Sequence, residues 1–236
     1  MTLDRRRFLT ISAASITGSI LAACDKNPRS AQPLLQLAER ANQRVEEGLF
    51  RHTAINALDA NTPVAGRSFP KYFISSRVPV WDTAANGVWR LEVSGAVRRP
   101  LSLTLDDLMK LPRVTQKVDH FCVEGWNARA TWSGVRVSDL ARAAGITGDA
   151  QFVDFAGFDK GYHESWDMQS AMHPQTLVAY GMDGYLLTPG HGAPARVHSP
   201  VKLGYKSTKY LTRVVFMPAH NGGYWSDQGY EWYAGT

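Results

Sequence analysis

From residue 177 to residue 217 short apolar runs alternate with glycine and proline turns. This punctuation constrains the fold more than any other feature, because it reads as several strands joined by tight connections. Upstream, Trp89, Leu91 and Val93 alternate with polar residues and read as a strand ended by Gly95. Val114 to Phe121 reads as a strand that delivers Cys122 to its end, and Phe152, Asp154 and Ala156 lie in another. The helical signals are mostly short. Thr104 is placed to cap a helix running to Lys110, with Asp106 and Asp107 in its first turn. Val137 to Ala144 is a second helix, with Gly145 as its terminator. No internal repeat is evident. The sum is an α+β domain with mixed or mainly antiparallel β-sheets and short helices at the periphery.

The chain opens on Asp4-Arg5-Arg6-Arg7-Phe8-Leu9-Thr10, followed by a mild apolar run from Ile11 to Ala23. A basic start, a short apolar stretch and a small-residue end describe a bacterial signal peptide over 1–23. The stretch is short for a spanning helix, which needs about 20 apolar residues. Arg-Arg-x-Phe-Leu resembles the twin-arginine export signal, a route that carries proteins already folded. Leu21-Ala22-Ala23-Cys24 resembles a lipoprotein box, in which the Cys24 sulfur is acylated and becomes the new N-terminus. Residues 24–33 are polar and proline-containing, as expected of a tether. Residues 34–70 form the lead-in: Leu34, Leu37, Ala38, Ala41, Val45 and Leu49 have helical spacing up to Phe50, and 51–70 look irregular. The domain proper is expected over 71–236. The expected location is the periplasmic side of the bacterial inner membrane, reached through a lipid anchor.

A formal net charge of +5 falls to +3 once residues 1–23, with three arginines and one aspartate, are removed. With no long basic run and no nucleic-acid motif, this excludes a nucleic-acid partner. Two cysteines occur, Cys24 and Cys122. A disulfide between them is the bland reading for an exported protein, but each has a better individual explanation.

A lone cysteine at a strand end is commonly a small buried apolar residue. Its neighbours point elsewhere. His120-Phe121-Cys122-Val123-Glu124-Gly125-Trp126, then Trp132-Ser133-Gly134-Val135, resembles the molybdenum-ligand segment of the sulfite oxidase family. There a cysteine precedes a Gly- or Ala-containing loop, followed by a Trp-x-Gly turn into a helix. Gly157-Phe158-Asp159 resembles the family's pterin-contacting loop, and His191-Gly192-Ala193-Pro194-Ala195-Arg196 its His-Gly-x-Pro-x-Arg segment. Gly204-Tyr205-Lys206-Ser207-Thr208-Lys209 resembles the pterin-phosphate loop, and Phe73 to Val80 an early Phe-x-x-x-x-x-Pro-Val segment. The resemblance runs from about Lys71 to Tyr230.

It implies a sulfite oxidase-like molybdopterin-binding fold and a mononuclear Mo-molybdopterin cofactor with Cys122 as metal ligand. A soft thiolate suits such a metal, and metal binding keeps the thiol deprotonated. Arg196 would clamp the phosphate with two parallel N–H bonds, Lys209 would add charge, and Ser207, Thr208 and Lys209 would offer backbone amides. Asp159 and His191 would bond pterin nitrogens. Ser75, Ser76 and Arg77 are further cofactor candidates. Tyr230 sits where the family places a tyrosine at the metal-bound oxygen and the substrate. His120 and His163 match no role and are taken as structural or surface residues.

The implied reaction is two-electron oxygen-atom transfer. True sulfite oxidases surround their dianion with arginines, and two of those positions are Asn127 and Ser75 in this chain. Each missing charge removes contacts worth roughly 1.5–3 kcal/mol, although Arg129 and Arg77 lie nearby in sequence. The substitutions resemble the bacterial periplasmic branch that includes a sulfoxide reductase catalytic subunit. The expected substrate is therefore an uncharged S-oxide or N-oxide, small or peptidyl. No Cys-x-x-Cys-His haem motif is present, so electrons must come from a separate partner, such as a membrane haem or quinone-linked protein. Two other readings stand beside this one: a sulfite dehydrogenase-like enzyme, and a cofactor-free binding lipoprotein on the same scaffold.

Overall fold

A computed structural model describes residues 28–49 and 69–236. The signal segment, Cys24 and residues 50–68 lie outside the described residues. Pro28–Leu49 is helix α1, which belongs to a unit of its own. It begins at Pro28 rather than Leu34, so the end of the expected tether is helical. Pro28 sits at the first helical position, where its missing N–H would be unpaired anyway, whereas Pro33 lies inside the helix, past its first turn. The polar residues 28–33 carry no apolar stripe from which the periodicity could have shown this. No described helix is long and apolar enough to cross a membrane.

Among the described residues ten strands form two five-stranded sheets. The first contains β1 (Arg90–Gly95), β2 (Leu101–Thr104), β5 (Phe152–Gly157), β6 (His163–Asp167) and β10 (Leu211–Met217), in the order β2-β1-β10-β5-β6. Its β1–β10 pair is parallel and the others are antiparallel, so the sheet is mixed. The second contains β3 (Arg113–Phe121), β4 (Asn127–Arg136), β7 (Leu177–Met182) and β8 (Tyr185–Leu186) in that order, with β9 (Arg196–His198) also paired to β7; every pair is antiparallel.

The main core joins the two sheets. Leu91, Val93, Phe155 and Val214 from the first pack with Val135, Val178 and Val197 from the second. The short helices α2 (Thr83–Asn86), α3 (Leu105–Lys110), α4 (Val137–Ala144) and α5 (Met168–Ala171) are interspersed among the strands. The Thr104 hydroxyl accepts from the Asp107 amide while the Asp107 carboxylate accepts from the Thr104 amide, a reciprocal cap that fixes the start of α3. Gly145 closes α4 in the left-handed conformation, as its position predicts. Leu140, Ala141 and Ala144 turn inward from α4.

One local expectation changes. Trp132-Ser133-Gly134-Val135 is not a turn but the last part of β4, which runs into α4 at Val137. The glycine serves a different need. At the register shift between β4 and β7, a Cβ on Gly134 would stand 2.2 Å from the Val178 carbonyl oxygen. Only a residue without a side chain lets the two backbones approach this closely.

Candidate active site

A cleft of about 280 Å³ opens beside the β3–β4 hairpin. Its wall includes Cys122, Val123, Glu124 and Trp126 from that hairpin, with His120 from the end of β3. The hairpin loop is tight: the Cys122 amide donates to the Trp126 carbonyl at 2.9 Å, and the Gly125 amide to the Cys122 carbonyl at 3.0 Å. Cys122 is half-buried with a free thiol. Burial pushes that thiol above its ordinary pKa, and the Glu124 carboxylate, 3.8 Å from Sγ, pushes in the same direction. The protein alone therefore does not make Cys122 a thiolate; a cation bound to the sulfur would.

Two cations reach the same cleft without an acidic partner. Arg196, only 2% exposed, opens β9 and donates to carbonyls alone: Val197 at 3.4 Å, His191 at 3.2 Å and Ser207 at 3.3 Å. Its guanidinium carbon lies 5.1 Å from the Trp132 ring centroid. Lys209 donates to the Tyr72 carbonyl at 2.5 Å and the Gly190 carbonyl at 3.0 Å. Burial, with Arg196 nearby, lowers its pKa to about 7, and burial lowers that of Arg196 to about 10. Neither cation has an ion pair among the described residues. Around them the buried hydroxyls of Ser207, Thr208 and Tyr210 have no hydrogen-bond partner among the described residues. Tyr210 is also held left-handed at φ 56°, a conformation costing a non-glycine residue about 1–2 kcal/mol. Such strain gathers where a binding surface must be shaped.

The cleft gathers most, but not all, of the residues singled out from sequence. Cys122, Asp159, Arg196, Ser207, Lys209 and Tyr230 line it. Asp159 is buried and accepts from the Ile74 amide at 3.3 Å and from the Ser75 hydroxyl. Ser75 thus positions Asp159 and is not itself part of the wall. Ser76 and Arg77 are exposed and do not line the cleft, and Thr208 is buried behind it. His191 is also set back. Its Nδ1 meets the Thr188 hydroxyl at 3.0 Å and its Nε2 the Phe69 carbonyl at 3.2 Å, so both ring nitrogens are engaged by the protein. Tyr230, 40% exposed, stands against the rings of Trp225 and Tyr205.

His120, read as structural or surface, is instead buried in the cleft wall. Burial, reinforced by Arg196 and Lys209, lowers its pKa to about 3, so it is neutral, and its Nδ1 faces His198 Nε2 at 3.3 Å. Gly204 makes room for it: a Cβ there would stand 2.5 Å from His120 Nε2. His120 stands near the end of the strand that delivers Cys122, two residues before it, and that nearness carried the signal. Phe69, Tyr72, Trp126, Tyr162 and Trp225 in the wall were not foreseen as a set. His163 keeps a structural role, paired with Asp154 at 2.8 Å.

Strands, cleft and unpaired cations together define a scaffold for an anionic cofactor, and comparison with known proteins identifies which. The chain belongs to the oxidoreductase molybdopterin binding domain family, whose signature matches residues 76–225. A protein of Azospira oryzae, provisionally named protein-methionine-sulfoxide reductase subunit YedZ1, is 37% identical over 235 residues, covering 98% of this chain and 88% of that one. The protein-methionine-sulfoxide reductase catalytic subunit of Ralstonia nicotianae is 33% identical over 144 residues; the match spans 55% of this chain and 44% of the relative. Among solved structures, the sulfane dehydrogenase SoxCD of Paracoccus pantotrophus has a TM-score of 0.53 at 25% identity, over 56% of this chain and 38% of that one. The chain is thus a molybdopterin-dependent oxidoreductase.

The residues present fit that cofactor. Buried Arg196, half-buried Lys209 and the unpartnered hydroxyls of Ser207 and Tyr210 on the cleft wall are a donor set suited to a phosphate group. Among the described residues no group of three or more His, Cys, Asp or Glu is arranged to hold a metal ion. A metal at Cys122 would take its remaining ligands from the pterin or from solvent, as the dithiolene sulfurs of molybdopterin allow.

Proposed function

We propose that this chain reduces S-oxides, with methionine sulfoxide in peptides as its substrate class. Cys122 would bind molybdenum, Arg196 and Lys209 the pterin phosphate, and Asp159 a pterin nitrogen. The bound cofactor supplies the two-electron redox step, and the protein supplies orientation and electrostatics. The observation that carries this reading is that a free thiol, buried Arg196 and half-buried Lys209 share one cleft, with neither cation ion-paired among the described residues. In the net reaction a sulfoxide takes up two electrons and two protons to give a thioether and water. Tyr230 would donate a hydrogen bond from Oη to the sulfoxide oxygen, with Trp225 and Tyr72 enclosing the apolar substituents.

Substrate choice rests on charge. Asn127 and Ser75 bring no cation to the site, Arg77 is exposed and off the wall, and Arg129 is bound two-fold by Asp119 at 2.6 and 2.7 Å. A sulfite dianion would find little to hold it on the exposed side of the cleft, whereas an uncharged S-oxide needs no counter-charge. The names of the Azospira and Ralstonia relatives support the same substrate class. Electrons would come from a separate subunit or donor. Steady-state kinetics with a reduced dye and methionine sulfoxide, beside sulfite with an artificial acceptor, tests the reading. Efficient sulfite oxidation with a micromolar Michaelis constant overturns it.

The N-terminal sequence supports export by the twin-arginine route and acylation at Cys24, which would hold the enzyme on the periplasmic face of the inner membrane beside a haem or quinone-linked partner. Arg5→Lys with Arg6→Lys should leave precursor in the cytoplasm, and Cys24→Ala should prevent lipidation. A mature N-terminus without lipid in mass spectra removes the tether from the account.

A further inference from the structure

We propose that Glu124 sets the charge preference of this enzyme, disfavouring anionic substrates and favouring S-oxides that carry positive charge nearby. The inference rests on the S-oxide reading above and deepens it.

Three observations carry it. First, position: Glu124 lines the cleft from the β3–β4 hairpin, exposed to solvent, with its Oε2 3.8 Å from the Cys122 sulfur. A substrate oxygen approaching a metal bound to that sulfur passes close to this carboxylate. Second, the carboxylate is oriented. Trp126 Nε1 donates to the same Oε2 at 2.8 Å, which orients the Glu124 carboxylate along the hairpin on the cleft side. Third, its charge is not cancelled. Glu124 takes part in no ion pair among the described residues. The arginine nearest in sequence, Arg129, is already neutralised by Asp119. The cleft is therefore polarised. Its positive charge lies on buried Arg196 and half-buried Lys209, and its exposed edge carries the Glu124 carboxylate.

Coulomb's law then assigns the sign of the preference. Like charge at the entrance costs an anionic substrate, and opposite charge helps a cationic one. Because Glu124 is solvent-exposed, screening keeps the effect small. About a threefold to fivefold change per substrate charge is expected, as for exposed charge pairs.

The test uses two peptides with a central methionine sulfoxide, one flanked by lysines and one by aspartates, and compares kcat/KM for the two in the loaded enzyme. Glu124→Gln is the matched variant, since its amide oxygen still accepts from Trp126. Wild type should prefer the lysine peptide at low salt, lose most of that preference in high salt, and lose it in Glu124→Gln even at low salt. A second readout needs no turnover. In full-length protein prepared without molybdenum, Cys122 is alkylated by neutral iodoacetamide and by anionic iodoacetate, and the ratio of the two rates should fall about threefold in wild type's disfavour of the anion and recover in Glu124→Gln. Taking a ratio cancels any change in thiol reactivity. If wild type and Glu124→Gln show the same peptide preference and the same alkylation ratio, the proposal is wrong. If neither peptide is reduced at all, the S-oxide reading fails instead, and the alkylation ratio still decides the role of Glu124.

Discussion

The Lys206 ammonium lies 2.7 Å from the Glu164 carboxylate, and both side chains are fully buried. Glu164 also accepts from the Trp225 amide at 2.9 Å and the Ser226 hydroxyl at 3.1 Å. One buried acid therefore ties β6, the 204–209 loop and the aromatic segment bearing Trp225 and Tyr230 to one another. Removing one member leaves an uncompensated buried charge, which costs about 3–5 kcal/mol. Glu164→Gln or Lys206→Met alone should lower urea stability by that much, and the double variant should recover a large part of the loss. Additive losses in the double-mutant cycle would show that the pair is not coupled.

Cys122→Ser should fold normally, because the side chain sits in a hairpin loop and fills no core position. It should lose turnover completely. Circular dichroism, metal analysis and dye-linked kinetics check this together, and wild-type turnover in the variant would remove Cys122 from the chemistry.

Arg196 has two opposed effects. It should retain the cofactor, yet without the cofactor it is a buried charge held only by carbonyls and the Trp132 ring. Arg196→Met should therefore purify with little molybdenum while the cofactor-free chain gains about 1–4 kcal/mol, as when buried ionic groups give way to apolar ones of similar size. Full molybdenum occupancy, or lower stability in the cofactor-free form, would contradict the assignment.

Lys209 makes a pH prediction with a definite sign. Its pKa falls from 10.5 to about 7 on folding, chiefly through burial. Between these values the unfolded chain carries a proton that the folded, cofactor-free chain has lost. Its contribution to stability thus rises with pH from about 7 to about 10.5 and is lost as pH falls through 7. Urea melts across this range should show the slope in the cofactor-free protein, and Lys209→Met should flatten it. In the loaded enzyme a phosphate would hold the proton on, and the slope should shrink.

Gly134→Ala should be among the most damaging small changes. The added carbon would meet the Val178 carbonyl at 2.2 Å and the Ala179 Cα at 2.7 Å, both backbone atoms that cannot step aside. Overpacking of this kind costs about 1–3 kcal/mol or more. A melting temperature equal to wild type would refute the close-approach argument.

What could be read from sequence was what neighbours in sequence decide. The Thr104–Asp107 cap, the Gly145 stop and the strand that presents Cys122 depend on a few adjacent residues, and all are present. The gathering of Cys122, Asp159, Arg196, Ser207, Lys209 and Tyr230 in one cleft followed from spacing that resembled a known family. Side-chain direction did not follow. His191 turns to Phe69, Ser75 turns to Asp159, and Arg129 turns to Asp119, each choosing a partner distant in sequence or across a strand. The same long-range choice placed His120 against His198, 78 residues away. Nor did polar residues 28–33 signal a helix, because periodicity needs apolar residues to mark it.

The parallel pairing of β1 with β10 sets an order of assembly. Glu92 aligns with Arg213 and Gly95 with Phe216, so the first strand of the domain waits for the last. Contacts this distant in sequence make folding slow. The loop carrying Ser207 and Lys209 leads directly into β10, so a growing chain cannot close the cleft until the end of the domain has been synthesised. Insertion of the cofactor must then follow translation rather than accompany it. That timing would suit the folded-state export proposed above, in which only a finished, loaded domain travels.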